Sequence, residues 1–122
     1  MDKKEATLIG TNKLCRSNIR AIHDAFDVIG GKWKISIISC LTFQSMRYSE
    51  LLREVEGISG KMLSRELKEL EINQLITREV LCTHPITVRY QLTEYGQTLK
   101  PLTLTIAEWG LNHRKKIIGQ FQ

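Results

Sequence analysis

The stretch Ile58–Glu71, "ISGKMLSRELKELE", decides the fold. Leu63, Leu67 and Leu70 fall at i, i+4 and i+7, the spacing that lines up apolar side chains on one face of a helix. Lys61, Ser64, Arg65 and Lys68 repeat that interval on a second face. At roughly 100° per residue, Glu66, Glu69 and Glu71 sit off the axis of the second stripe, so charge is sorted around the helix. Ser59 stands where a hydroxyl can satisfy an orphaned N–H of the first turn. Ahead of it, "EGIS" reads as a turn, and within "MRYSELLREV" (Met46–Val55) Ser49 is placed to cap a short helix with Leu51, Leu52 and Val55 inward. Two short helices joined by a tight Gly-containing turn form a helix-turn-helix.

Downstream of Gln74 the period changes from helical to two. "ITREVLC" and "TVRYQL" alternate, Val88, Tyr90 and Leu92 on one face and Thr87, Arg89 and Gln91 on the other, as an antiparallel hairpin with one wet side requires. "THPI" forms its tip, with Pro85 tolerated at an edge. From Thr93, a helix cap, a segment runs to the C terminus with Leu99, Leu102, Ile106, Trp109, His113 and Ile117 near a three-four repeat, and Pro101 predicts a kink or break. Upstream, Ile19, Ile22, Phe26 and Ile29 predict a helix that stops at Gly30 and Gly31. "KWKISIISCLT" follows, with Trp33, Ile37, Cys40 and Leu41 at helical spacing but with β-branched content that also suits a strand. Residues 1–13 are polar and weakly patterned and are expected to form a flexible arm; 14–122 form the domain. The expected architecture is mainly α with a small antiparallel β-hairpin: a winged helix-turn-helix with N- and C-terminal dimerisation helices.

A chain of 122 residues supports one domain. Its hydrophobic content of 42% and charged content of 25% argue against wholesale disorder and against a fibrous repeat. Eighteen Lys and Arg against thirteen Asp and Glu leave +5, which favours an anionic partner. Three cysteines at wide spacing, Cys15, Cys40 and Cys82, with no secretory signal before them, suit a reducing cytosol. "MDKKEATLIG" lacks a continuous apolar core, and "ISIISCL" is far below a spanning length, so no membrane partner is expected.

A helix can lie in the DNA major groove, where base edges offer acceptors and the flanking phosphates attract Lys and Arg. With the leucine stripe on the core, Lys61 is placed for base edge or phosphate, Ser64 and Arg65 for base reading, Lys68 for the backbone, with Ser59 and Met62 beside them at the helix start. Against this stands a solvated face that is merely basic. In the wing, Arg78, His84, Thr87 and Arg89 can offer polar groups to phosphates or to the minor groove; a solvated hairpin is the alternative. At the short helix, Arg47, Tyr48 and Ser49 are candidates for phosphate contact, with edge packing the competing role for Tyr48. Leu102, Ile106, Trp109, His113 and Ile117 offer more apolar length than a small winged domain needs, so a partner helix and a C2 dimer follow. Two recognition helices would then sit about 34 Å apart and demand an inverted repeat.

Five blocks in one order carry a resemblance: "DVIGGKW" (Asp27–Trp33), "RYSEL" (Arg47–Leu51), "ISGKMLSRELKELE", "VRYQLTEYG" (Val88–Gly96) and "EWG" (Glu108–Gly110). Over about Arg20 to Gly110 the chain resembles the HxlR family of bacterial winged-helix transcriptional regulators, relatives of the MarR type. The resemblance implies a cytoplasmic homodimer built from the terminal helices, with Ile19, Ile22 and Phe26 joining the C-terminal seam, and binding of double-stranded pseudo-palindromic operators through paired recognition helices and wings. Two positions depart from the family pattern. Gly60 stands where members often carry a long polar residue, and any base contact from that position is lost. Arg20 stands where many carry a cysteine, some of which sense electrophiles or oxidants. Cys15, between Lys13 and Arg16, is a shifted candidate redox sensor for an oxidant or small-molecule effector, against an inert thiol in a loose arm; Cys40 and Cys82 read as small buried hydrophobes.

No catalytic or metal site is expected and no cofactor. "GGK" fails the phosphate-loop pattern at Phe26 and Trp33, and no Cys and His spacing matches zinc. The expected function is a DNA-binding transcription regulator, redox- or ligand-responsive; the alternative is a winged protein-interaction module without DNA contact, which salt dependence would separate.

Overall fold

The computed structural model describes residues 3–120, with side-chain surroundings over 12–119, and divides at Gly31 into two compact units. The first holds one helix, α1 (Lys3–Ile29), which ends where the Gly30 N–H donates to the Phe26 carbonyl at 2.8 Å. It extends well ahead of Ile19 and is continuous through Lys13, where the sequence places the end of an arm; residues 1 and 2 of that arm lie outside the described residues. Every residue from Asn12 to Asp27 is exposed.

The second unit, from Lys32 on, holds α2 (Gly31–Phe43) apart from its first residue, and then β1 (Met46–Arg47), α3 (Tyr48–Glu54), α4 (Gly60–Ile72), β2 (Ile76–Leu81), β3 (Thr87–Leu92), α5 (Glu94–Gln97) and α6 (Lys100–Gln120). "KWKISIISCLT" is helical. Its β-branched residues are accommodated because Ile37, Ile38 and Leu41 share one buried face, and the Ser36 and Thr42 hydroxyls donate back to the Lys32 and Ser39 carbonyls. The core joins these residues to Leu51 of α3 and Val55 at its C-cap, Leu63, Leu67 and Leu70 of α4, and Met46, Ile76, Tyr90 and Leu92 of the sheet. Each such side chain contributes roughly 1.5–3 kcal/mol on burial.

The helix-turn-helix is built as the sequence predicts, with two corrections in α3. Its cap is Arg47 rather than Ser49: the Glu50 carboxylate accepts from the Arg47 backbone N–H at 2.9 Å, and a guanidinium has no acceptor to return. Leu52 is exposed, because a helix this short buries a single face, taken by Leu51 and Val55. The turn passes through Gly57 at φ +89°, a backbone that favours glycine. The Ser59 hydroxyl then accepts from the Met62 N–H at 3.1 Å. At the far end of α4, Leu75 N–H returns to the Leu70 carbonyl and Gln74 N–H to that of Glu71, a Schellman closure with Gln74 at φ +62°.

The sheet has three antiparallel strands in the order β1-β3-β2, with Met46 opposite Tyr90 and Ile76 opposite Leu92. Two residues carry no readable period, which is why β1 is absent from the sequence reading. Tyr90 and Leu92 are buried with Gln91 exposed between them, as the alternation in β3 predicts. In β2 only Ile76 is buried, since beyond it the hairpin outruns the core and becomes a wing. Thr93 accepts from the Gly96 N–H at 2.9 Å and donates to the Gln74 carbonyl at 2.7 Å, so one hydroxyl caps α5 and ties it to the end of α4. The break expected near Pro101 falls at Thr98 and Leu99, leaving proline in the first turn of α6, where its missing N–H costs little. Thr103 is buried, but from Leu104 to Gly119 every residue of α6 is exposed. No helix among the described residues is long and apolar enough to cross a membrane.

Candidate nucleic-acid interface

The charge sorting on α4 has a structural cause. Glu66 is buried and, with Glu69, binds the ammonium of Lys34 on α2. Burial disfavours the Lys34 charge, but the hydrogen bonds and charges of the two carboxylates more than offset it, holding the pKa above its usual 10.5. The hydrogen bond to Lys34, and its charge, hold Glu69 below its usual 4.5. Glu66 and Glu69 are thus drawn toward α2, whereas Glu71, near the end of the helix, stays exposed. Lys61, Ser64, Arg65 and Lys68 are exposed, and Lys61 and Lys68 have no ion-pair partner among the described residues. Arg65 keeps 66% of its side chain accessible, with Glu66 Oε1 at 3.6 Å.

At the start of α4 the Tyr48 hydroxyl donates to the Gly60 carbonyl at 2.9 Å and lies 3.1 Å from Ser64 Oγ. A Cβ on residue 60 would come within 3.3 Å of that hydroxyl, so glycine leaves room for the link between α3 and α4. Tyr48 therefore has a packing role at the site, one of the two its sequence position allows. Arg47, Tyr48, Ser49, Ser64, Arg78 and Thr87 come together around one open cleft of about 430 Å³, its wall completed by Ile86, Val88 and Tyr90. Lys61, Arg65 and Lys68 of α4, and His84 and Arg89 of the wing, lie outside that lining.

The wing residues differ from one another. Arg78 and His84 are exposed. Arg89 is bound across the strands to Glu79 at 2.7 Å, and its Nε is buried without a partner. Arg47 sits opposite Arg89 in the register, leaving Glu79 to compensate the row. Thr87 shares a hydroxyl contact of 3.2 Å with Thr83. Two participants escaped the sequence reading. Lys34 is one, whose only signal is a cation inside an apolar helix; Ile86 is the other, an exposed apolar residue beside Pro85 at the wing tip.

The cysteines divide differently from expectation. Cys82 is exposed, since it follows the last residue of β2, beyond the core. Cys40 is half-buried, and burial together with nearby Glu54 pushes its thiol pKa up. Cys15 is exposed on α1. Among the described residues no group of three or more His, Cys, Asp or Glu could hold a metal ion. On α6 the rings of Trp109 and His113 stack at 5.0 Å. Leu102, Ile106, Trp109 and Ile117, like Ile19, Ile22 and Phe26 of α1, are exposed.

A profile of the HxlR-like helix-turn-helix family matches residues 28–117. The chain is 39% identical over 99 residues to the uncharacterized HTH-type transcriptional regulator YtcD of Bacillus subtilis, covering 81% of this chain and 79% of that protein. Among solved structures it is similar to the redox regulator HypR in its reduced form, with 36% identity, a TM-score of 0.74, and coverage of 81% of this chain and 98% of that one. The oxidized form of HypR gives 38% identity and a TM-score of 0.72 over 75% of this chain and 95% of that one. These relatives are named as regulators, not enzymes, and the winged fold described above is theirs. The chain belongs to the HxlR-like helix-turn-helix family of transcriptional regulators.

Proposed function

We propose that the protein is a cytoplasmic homodimer that binds an inverted-repeat operator in double-stranded DNA, with α4 in the major groove and the β2–β3 wing against the neighbouring backbone or minor groove. One observation carries the reading: the exposed cations of α4 share a face from which Glu66 and Glu69 have been drawn toward Lys34. A polyanion is the partner that such a face suits. The cleft that joins Arg47, Ser49, Ser64 and Arg78 supports a contact continuous from α4 to the wing. The exposed apolar residues of α6 support a second copy as their cover. Exposed Cys15 between Lys13 and Arg16, and the likeness to a regulator named for redox response, support an oxidant effector.

Selection of fragments from a random DNA pool, followed by gel-shift titration, tests this reading. Arg65→Ala is expected to weaken operator binding by about 1–3 kcal/mol and relax sequence preference. Lys68→Ala is expected to weaken all sequences evenly and reduce the salt slope by about one unit. Binding that ignores salt and both substitutions would refute the DNA reading and favour a protein partner. Repeating the titration with diamide on wild type and Cys15→Ser tests the effector: oxidation should change affinity only when Cys15 is present.

A further inference from the structure

The hydrogen-bond chain at the base of α4 fixes what Ser64 can offer. A phenol has a single proton, and a carbonyl can only accept. At 2.9 Å from the Gly60 carbonyl, the Tyr48 oxygen must direct its proton there, since two facing acceptors at that distance repel. The second contact, 3.1 Å to Ser64 Oγ, then has one polarity: serine donates and tyrosine accepts. The Ser64 proton is thereby turned toward α3, and its exposed side presents lone pairs.

We infer that Tyr48 makes Ser64 an acceptor-only reader, selecting a base that shows an amino group in the major groove, adenine or cytosine, over guanine or thymine. This rests on the DNA reading above and adds a direction to it. Adenine N6 and cytosine N4 carry donors there, whereas guanine O6 and N7 and thymine O4 only accept. The same polarity turns Ser64 away from phosphate oxygens, which also only accept. Tyr48 is a positioning residue: it acts through the proton it withholds from the groove. Gly60 belongs to the device, because a Cβ at 3.3 Å from the Tyr48 hydroxyl would displace it.

Random-pool selection with wild type, Tyr48→Phe, Gly60→Ala and Ser64→Ala, followed by gel shifts on matched duplexes, tests the assignment. Wild type should hold one base pair at a position of each half-site and lose affinity when the amino group of that pair is removed, by purine in place of adenine or 2-pyrimidinone in place of cytosine, and Ser64→Ala should be indifferent to that removal. Tyr48→Phe should free the Ser64 proton and shift the preference at that pair toward the analogue lacking the amino group by roughly 3- to 10-fold relative to wild type, the worth of one hydrogen bond. Gly60→Ala should shift the preference the same way by less. Non-specific affinity and the circular dichroism melt report folding, and a purely structural tyrosine would alter those without reversing a base preference. No Ser64-dependent base pair in wild type, wild-type affinity indifferent to removal of the amino group from that pair, or a Tyr48→Phe pattern identical to wild type would each overturn the inference while leaving DNA binding intact. Absence of salt-dependent binding by wild type would remove both.

Discussion

A lysine in an apolar helix accounts for the outward cations of α4. Lys34 is largely covered, Glu66 more so, and a buried pair is costly to break from one side. Lys34→Met should therefore destabilise by roughly 3 kcal/mol in urea unfolding, with Lys34→Met/Glu66→Gln recovering most of the loss because no buried charge is stranded. The pH dependence has two limbs. Glu69 is held below its usual 4.5, so its contribution is complete above that value and is lost as pH falls through the depressed one. Lys34 is held above 10.5, so its contribution is complete below that value and is lost as pH rises through the raised one. Urea midpoints measured across both ranges should show these losses in wild type and shallower ones in Lys34→Met. The exposed cations were legible from their spacing. Lys34 was not, because its partners lie on an element far along the chain.

At the scale of elements, capping explains which boundaries could be read. Ser59 and Thr93 are hydroxyl caps with a strong local signal, and both serve as caps. The Arg47 cap carries no such signal, because its bond comes from Glu50 three residues later. Gln74 occupies a left-handed position that α4 needs for its closure, so Gln74→Gly should raise stability by about 1 kcal/mol in the same unfolding assay. Gly96 is constrained by close approach: a Cβ there would lie 2.1 Å from the Leu75 carbonyl oxygen. Gly96→Ala is expected to cost roughly 1–3 kcal/mol through strain where α5 meets the end of α4. The wing departs from simple alternation because β2 leaves the core after Ile76.

For the whole molecule, the main question is what covers α6. Its apolar residues, exposed from Leu104 onward, include Ile106, Trp109, Leu111 and Ile118, a surface a lone subunit would leave wet. If a second copy covers it, Trp109→Glu should shift sedimentation from dimer to monomer. It should also lower affinity for a two-site operator by at least about tenfold while sparing half-site binding, because linked sites gain through effective concentration. An unchanged sedimentation coefficient would assign that face to another partner.

The helix-turn-helix, the hairpin and the break near Pro101 were determined by the sequence alone, since leucine spacing, turn glycines and period-two alternation act between near neighbours. Local pattern also marked the cationic stripe. Tertiary structure decided that "KWKISIISCLT" is a helix, that Met46 and Arg47 form an edge strand on β3, that Arg89 is held by Glu79, and that Tyr48 closes on Gly60 and Ser64. Apart from the Arg89–Glu79 pair, which needs the exact cross-strand register of the hairpin, each of these rests on a contact between residues distant in the chain, and periodicity carries no information about which distant groups will meet.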